Sequence, residues 1–342
     1  MMVKIQSSIC FSIFIFIILL LSDQSIWAVS GAIRCHPQDM KVLLKIKNDL
    51  GNPYVLTCWN PQIVKDCCDW CSIYCDLETN RITGLFISNS NLSAQIPLSV
   101  VDLPYLDNLR FHKLPNLIGN IPHIITNLTH LKYLDISWTN ISGPIPDFLS
   151  QLNNLNDLDL SFNNLTGTIP SSLSELSNLT YLNLHGNKLT GSIPDSFGNF
   201  KGNPSPYLIL SHNQLTGNVP KSLADLKFPV LDLSRNNLQG DISFFFAPDK
   251  DLQSHDFSRN MFEFDLSKVV FPNTLTSLDL NHNKIYGSLP QGLTSLNLEY
   301  LNVSYNRLCG EIPVGGNLQT FETTSYFHNR CLCGAPLPPC KL

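Results

Sequence analysis

The chain has 342 residues, 43% of them hydrophobic and 14% charged, with a net charge of −5. The apolar share suffices for a folded core, and a slightly acidic balance without any basic run excludes a protein that tracks nucleic-acid phosphates.

In chain order, residues 1–30 carry Lys4, an apolar run from Ile9 to Leu21, and the small residues Ala28 and Ser30. This three-part pattern predicts a secretory signal peptide. The run falls short of the roughly 18 residues of a membrane-spanning helix, and no later stretch reaches that length, so the mature chain is expected to be free of the membrane. The chain ends soon after Cys340, and neither an anchor tail nor a cytoplasmic kinase domain is expected.

Residues 31–82 read as an N-terminal cysteine-rich cap, with a short amphipathic helix from Asp39 to Leu50 that carries Val42, Leu43, Ile46 and Leu50 on one side. Once Cys10 leaves with the signal peptide, ten cysteines remain, an even number that argues for disulfides in an exported chain. They fall at the two ends. Cys35 is expected to pair with Cys67, Cys68 with Cys75, Cys309 with Cys331 and Cys333 with Cys340; joining Cys58 to Cys71 is the simplest completion, although spacing alone does not fix connectivity. The sequons at Asn91, Asn127, Asn140, Asn164, Asn178 and Asn302 suit the same compartment and are candidate glycosylation sites.

Between the caps, Asn163, Asn187, Asn213, Asn236, Asn260, Asn283 and Asn306 recur at steps of 24, 26, 23, 24, 23 and 23. Each follows a Leu-x-Leu-like pair. Such a period predicts a solenoid whose units bury their apolar sides only by stacking. Ten repeats are expected over residues 83–313, with a C-terminal cysteine-rich cap over 314–342. In the unit Leu155–Pro170, Leu155, Leu158, Leu160, Leu165 and Ile169 point inward, and Asn163 turns its amide onto backbone where the coil bends. Recurring glycines such as Gly143 and Gly167 ease the turn. Pro146, Pro170 and Pro194 close a Gly-x-Ile-Pro motif suited to the convex side, since proline donates nothing to an interior ladder. The frame breaks where His255 takes a leucine slot, where Ser243 replaces the proline, and around Lys113 to Asn116, where one repeat runs a residue long.

The fold class predicted is therefore an α/β solenoid, a right-handed superhelix with a parallel β-sheet on its concave face and short 3-10 or helical segments outside. Strand residues alternate sides, so those between the inward leucines face out. Arg110, Asp135, Asp159, Asn183, Ile209, Asp232, Asp256, Asp279 and Asn302 should align as a mostly acidic column. Tyr133, Asp157, Tyr181, Tyr207 and Tyr300 flank it on one side; His112, Trp138, Phe162, His185, His212, Arg235, Arg259, His282 and Tyr305 are expected on the other. Neighbouring carboxylates such as Asp232, Asp256 and Asp279 would sit about 4.8 Å apart, near the ~5 Å of retaining glycosidases. That spacing follows from the repeat, singles out no pair and lies on an open sheet, so no enzyme is expected. Clustered aromatics are a stronger signal, because Tyr, Trp and Arg are enriched at binding hot spots. Tyr133, Trp138, Phe162 and Tyr181, with Asp135, Asp159 and His185, form the expected interaction centre.

Cys67-Cys-Asp-Trp, the repeats of about 24 residues, Leu208-Ile-Leu-Ser-His-Asn-Gln-Leu-Thr-Gly, Leu278-Asp-Leu-Asn-His-Asn and the closing Cys331-Leu-Cys-Gly-Ala-Pro-Leu-Pro-Pro-Cys resemble the plant polygalacturonase-inhibiting proteins, which are extracellular leucine-rich-repeat proteins. The resemblance implies an apoplastic, cofactor-free defence protein. It would bind microbial or insect endopolygalacturonases through a surface including His112, Asp135, Asp159, Asn183 and His185, and thereby shield cell-wall pectin. Contact with pectin or the cell wall itself is a further implied partner. A relative of the family acts as an antifreeze protein, which leaves ice binding as the alternative, beside a receptor-like ligand-binding or adhesion role.

Overall fold

The computed structural model describes residues 34–200, 206–250 and 254–341. The expected signal peptide, residues 1–30, lies outside them, and no helix among the described residues is long and apolar enough to cross a membrane.

The cap helix spans Pro37–Asp49 and so begins two residues before the expected Asp39. The His36 side chain accepts from the Gln38 amide, and proline at the first helical position needs no donor there. Its buried face carries Val42, Leu43 and Ile46, but also Asp39. That carboxylate is satisfied completely: Arg81 grips both oxygens at 2.7 and 2.9 Å, and the Ile82 amide donates a third bond at 3.1 Å. The helix is thus clamped to the first repeat strand. Behind it Trp59 and Trp70 stack, and their indole N–H groups donate to the carbonyls of Cys71 and Val64. Disulfides join Cys35 to Cys67, Cys58 to Cys71, Cys68 to Cys75, Cys309 to Cys331 and Cys333 to Cys340, with Cα separations between 4.3 and 6.0 Å.

The long sheet starts with Ile73–Cys75, antiparallel to Ile82–Ser88, and then continues only in parallel. Asn108–Gly119, Tyr133–Pro144, Asp157–Asp159, Tyr181–Asn183, Tyr207–Ile209, Leu231–Asp232, Ser254–Asp256, Ser277–Asp279 and Tyr300–Asn302 follow in order. The register stacks Leu85, Leu109, Leu134, Leu158 and Leu182 in one buried column, and the extra residue of the second repeat is absorbed as an irregularity between Leu114 and Ile118. His255 completes the column between Leu231 and Leu278.

Asparagines hold the bend after each strand. Nδ2 of Asn213 donates to the Leu184 carbonyl of the previous coil at 2.9 Å and to Leu210 of its own at 3.1 Å, while its Oδ1 accepts from the Leu189 amide at 3.0 Å. Asn187, Asn236, Asn260, Asn283 and Asn306 repeat this pattern. Two earlier rungs lack the amide: Leu114 and Thr139 occupy its place, and Thr139 donates instead to Asn163 at 2.5 Å. One later rung was not foreseen. Asn329, in the expected cap, binds the carbonyls of Val303 and Tyr326 and the Leu308 amide, so the ladder runs one step past the last leucine pair.

A second, lateral set of strands was also not foreseen. The end of Tyr133–Pro144 pairs with Asn164–Thr168 and then Lys188–Thr190; Thr216–Asn218, Asn237–Gly240 and Met261–Phe262 form another group, and Tyr286–Gly287, Arg307–Glu311 and Cys331–Cys333 a third. On the outer side, Pro146, Pro170, Pro194, Pro220 and Pro290 each precede a five-residue 3-10 turn. The core lies between these turns and the long sheet.

Candidate protein-binding face

Side chains between the inward residues of each strand face the open side of the long sheet. The pairing register places Arg110, Asp135, Asp159, Asn183, Ile209, Asp232, Asp256, Asp279 and Asn302 in one column, and adds Phe86 at its start, where the cap's Tyr74 packs on it with ring centroids 4.8 Å apart. Leu85-Phe86-Ile87 carries the same frame as Leu134-Asp135-Ile136, so Phe86 was legible by the same count, whereas Tyr74 belongs to the antiparallel cap strand outside the repeat. Asn108, Tyr133, Asp157, Tyr181 and Tyr207 align beside the column, with Ser277 and Tyr300 further along.

On the other side the structure separates what the sequence reading merged. His112 lies opposite Ser137, two residues past the central column, and His185 stands at the same offset from Asn183. Trp138, Phe162, His212, Arg235, Arg259, His282 and Tyr305 stand one residue further, where the backbone turns left-handed with φ between 52° and 55°; Trp138 does so within the long strand Tyr133–Pro144, the others past the end of their short strands. In the His185 repeat this outer position is Gly186, whose added Cβ would meet the Phe162 ring at 3.0 Å. The His185 ring fills the gap. Trp138, Phe162, His185 and His212 consequently form a continuous row of rings with centroids 3.7, 4.6 and 4.7 Å apart, the first pair stacked, the second tilted at 59° and the third edge-on at 62°. A second stack joins His282, Tyr305 and His328 at 4.0 and 4.2 Å, and Arg235 and Arg259 lie between the two in sequence.

Most central carboxylates serve their own loop first. One oxygen each of Asp159, Asp232, Asp256 and Asp279 accepts from the amide two residues on. The second oxygen is taken across the sheet: Asn183 donates to Asp159, Ser211 to Asp232 and Tyr300 to Asp279. Asp135 instead pairs with Nε of Arg110 at 2.8 Å and accepts from Ser137. Burial nevertheless pushes the Asp135 carboxyl above its ordinary range, only partly offset by Ser137, and burial does the same to Asp157 and Asp256. Asn108, Arg110, Tyr133, Asp135, Asp157, Asp159 and Tyr181 surround a hollow of 280 Å³. Three carboxylates face one guanidinium there, which suits a cationic side chain entering from outside.

Twice the sheet builds a His-Ser-Asp series. His112 Nδ1 lies 2.8 Å from Ser137 Oγ, which donates to Asp135; His185 Nδ1 lies 2.7 Å from Ser211 Oγ, which donates to Asp232 at 2.6 Å. Each hydroxyl gives its single proton to the carboxylate, so the ring nitrogen donates to the hydroxyl and does not deprotonate it. That order is the reverse of nucleophile activation. It fixes the two imidazoles instead. Burial depresses the His185 pKa, with Asp232 and Asp159 opposing it. Among the described residues, one grouping has metal-like spacing, Cys35, Asp66 and Cys68, and both of its sulfurs are in disulfides.

Of the candidate glycosylation sites, Asn91, Asn127, Asn140 and Asn178 are exposed, while Asn164 and Asn302 are half-buried. Asn140 and Asn164 touch side by side. Asn302 lies in the central column and accepts from Ser304.

Leucine-rich-repeat family models match residues 129–189, 207–226, 274–296 and 297–316, and a leucine-rich-repeat N-terminal domain matches 36–76. The chain is 65% identical to a polygalacturonase inhibitor of Vitis vinifera over 308 residues, 90% of this chain and 92% of that one. It is 63% identical to a polygalacturonase inhibitor of Pyrus communis over 331 residues, 97% and 99% of the two chains. Among solved structures it is similar to a plant ice-binding protein, with 53% identity, a TM-score of 0.87, and coverage of 90% of this chain and 99% of that one. With this likeness running the length of the repeats and into both caps, the chain belongs to the polygalacturonase-inhibitor family of leucine-rich-repeat proteins.

Proposed function

We propose that the chain is a secreted, non-enzymatic inhibitor that holds an endopolygalacturonase against its concave sheet and so keeps it from cell-wall pectin. The observation that carries this reading is the juxtaposition of the acidic hollow around Asp135, Asp157 and Asp159 with the exposed Trp138 and Phe162 stack. An enzyme that cuts an anionic polymer needs cationic side chains in its cleft. The hollow complements such a group, and the rings supply rigid apolar contact beside it. Tyr133, Tyr181, Tyr207, Asn183, His112 and His185 extend the surface, and Asp232, Asp256 and Asp279 continue the acidic column. Release of reducing ends by a panel of fungal endopolygalacturonases, with and without the purified chain, tests the proposal: inhibition or binding of none of them overturns it.

Ice binding is the second reading, favoured by the similarity to the ice-binding structure. It requires a flat, regular polar array. The periodic asparagine column is buried and its amides are engaged, Trp138, Phe162 and Arg235 project on the long sheet, and the lateral strands break into separate groups. Inhibition is therefore the better-supported function.

A further inference from the structure

The three frame breaks have different outcomes: the long second repeat is absorbed in the sheet, His255 is absorbed in the core, and the loss of proline at Ser243, repeated one coil later at Ser267, accompanies a cleft. Where proline is kept, the outer 3-10 turns have five residues. At the break, Ile242 begins a turn of four residues, Ser243–Phe246, and Asp265 begins one of three, Leu266–Lys268. The lateral strands are interrupted at the same place. Met261–Phe262 ends one group and Tyr286–Gly287 begins the next, with an isolated Asp265 to Tyr286 bridge between them. Shortened turns and a split lateral sheet leave a cleft of 440 Å³.

Its size falls in the ~300 to 1,000 Å³ range of ligand-binding pockets. Phe246, Phe264 and Val269 line it as buried apolar side chains, whereas Val270 is 65% exposed and Tyr286 45% exposed. Asp241 and Glu263 line it as well. Asp241 Oδ1 accepts from the Ser243 amide and Glu263 Oε1 from Arg307, which leaves each carboxylate a second oxygen for an incoming donor. The third acid, Asp265, is already taken by Ser267 and Lys268.

We propose that this outer cleft is a second binding site, separate from the concave face, for a peptide segment that places an aromatic or branched apolar side chain beside a lysine or arginine. The apolar group would pack against Val270 and Tyr286, and the cation would meet Asp241 and Glu263. Because the cleft lies on the lateral and outer elements, its occupation leaves the long sheet open to its own partner.

The test is fluorescence anisotropy of the full secreted chain with a labelled hexapeptide of alternating phenylalanine and lysine. Comparison peptides replace the lysines by glutamate or the phenylalanines by glycine. Binding of the first peptide at least tenfold tighter than either comparison is expected, with a tenfold or greater loss in the Asp241→Asn/Glu263→Gln double variant and in Val270→Glu. All of these positions except Val270 keep their shape, and Val270 is exposed, so folding is not at stake. Equal binding of the three peptides, binding that survives these variants, or a comparable loss of peptide binding in Asp135→Asn at the concave face would overturn the proposal.

Discussion

Trp138 and Phe162 stack with ring centroids 3.7 Å apart, although each belongs to a different coil and each backbone is left-handed, at φ 53° and 52°. A bulky side chain in that region costs roughly 1 to 2 kcal/mol, a cost glycine does not carry. That backbone cost offsets what the ring gains by stacking on Phe162, so the tryptophan adds little net stability over glycine, and the ring is available for contact: 46% of Trp138 is exposed.

Trp138→Gly should therefore leave the denaturant midpoint nearly unchanged, while weakening inhibition by on the order of 30-fold, the scale of a hot-spot aromatic worth about 2 kcal/mol. Paired chemical denaturation and inhibition curves measure both. A variant that loses stability and keeps inhibition would make the stack structural.

Asp135→Asn keeps a single acceptor oxygen, enough for Ser137 or Arg110 but not both, and removes the charge at the hollow. The dissociation constant for a sensitive endopolygalacturonase should rise about 10- to 100-fold, corresponding to roughly 1.5 to 3 kcal/mol for a close charge pair, mainly through faster dissociation. Surface plasmon resonance separates the two rates. Because burial raises the Asp135 carboxyl pKa, its charge is lost as pH falls sooner than for a free aspartate, and this variant should flatten the acid side of the binding profile.

His255 sits 5% exposed in the leucine column, and its Nδ1 has no hydrogen-bond partner. Burial depresses its pKa from 6.5 to about 4. The unfolded chain then binds the extra proton between those two values, so folding stability falls as pH drops from about 6.5 towards 4, by up to about 3 kcal/mol. His255→Leu should raise the melting temperature far more at pH 4.5 than at pH 7.5 in calorimetry. An equal gain at both values would mean that packing, and not protonation, is the penalty.

Asn213→Leu removes an amide that satisfies two carbonyls and one amide N–H of the bend. Leaving buried backbone groups unpaired should cost on the order of 2 to 4 kcal/mol, read as a lower urea midpoint. Leu114, which stands in this place naturally, sits next to a strand that stays paired through the bend, so Leu114→Asn should not produce a comparable gain.

Much of this architecture was legible because one coil repeats: the period locates the strands, the inward leucines, the asparagine bend and the outward columns. Residues whose role depends on two coils at once were less legible. Gly186 hands its place in the aromatic stack to His185, and that exchange shows only when Phe162 and His212 stand on either side. Counting therefore put His112 and His185 one column out. The lateral strands escaped notice because Thr-Gly pairs such as Thr166 and Gly167 have no apolar alternation. Asn329 was readable in principle, since it follows Asn306 by 23 residues, but Thr324 and Tyr326 stand where a leucine pair is the usual sign.

Hydrogen–deuterium exchange of the chain alone and bound to a fungal endopolygalacturonase tests the central claim most directly. The account predicts slower exchange in peptides covering Tyr133–Thr139, Asp157–Asn163 and Tyr181–Asn187, with little change in Thr216–Asn218 or Arg307–Glu311 of the lateral strands. Protection confined to the lateral strands or the outer turns, with the three concave segments unchanged, would contradict it.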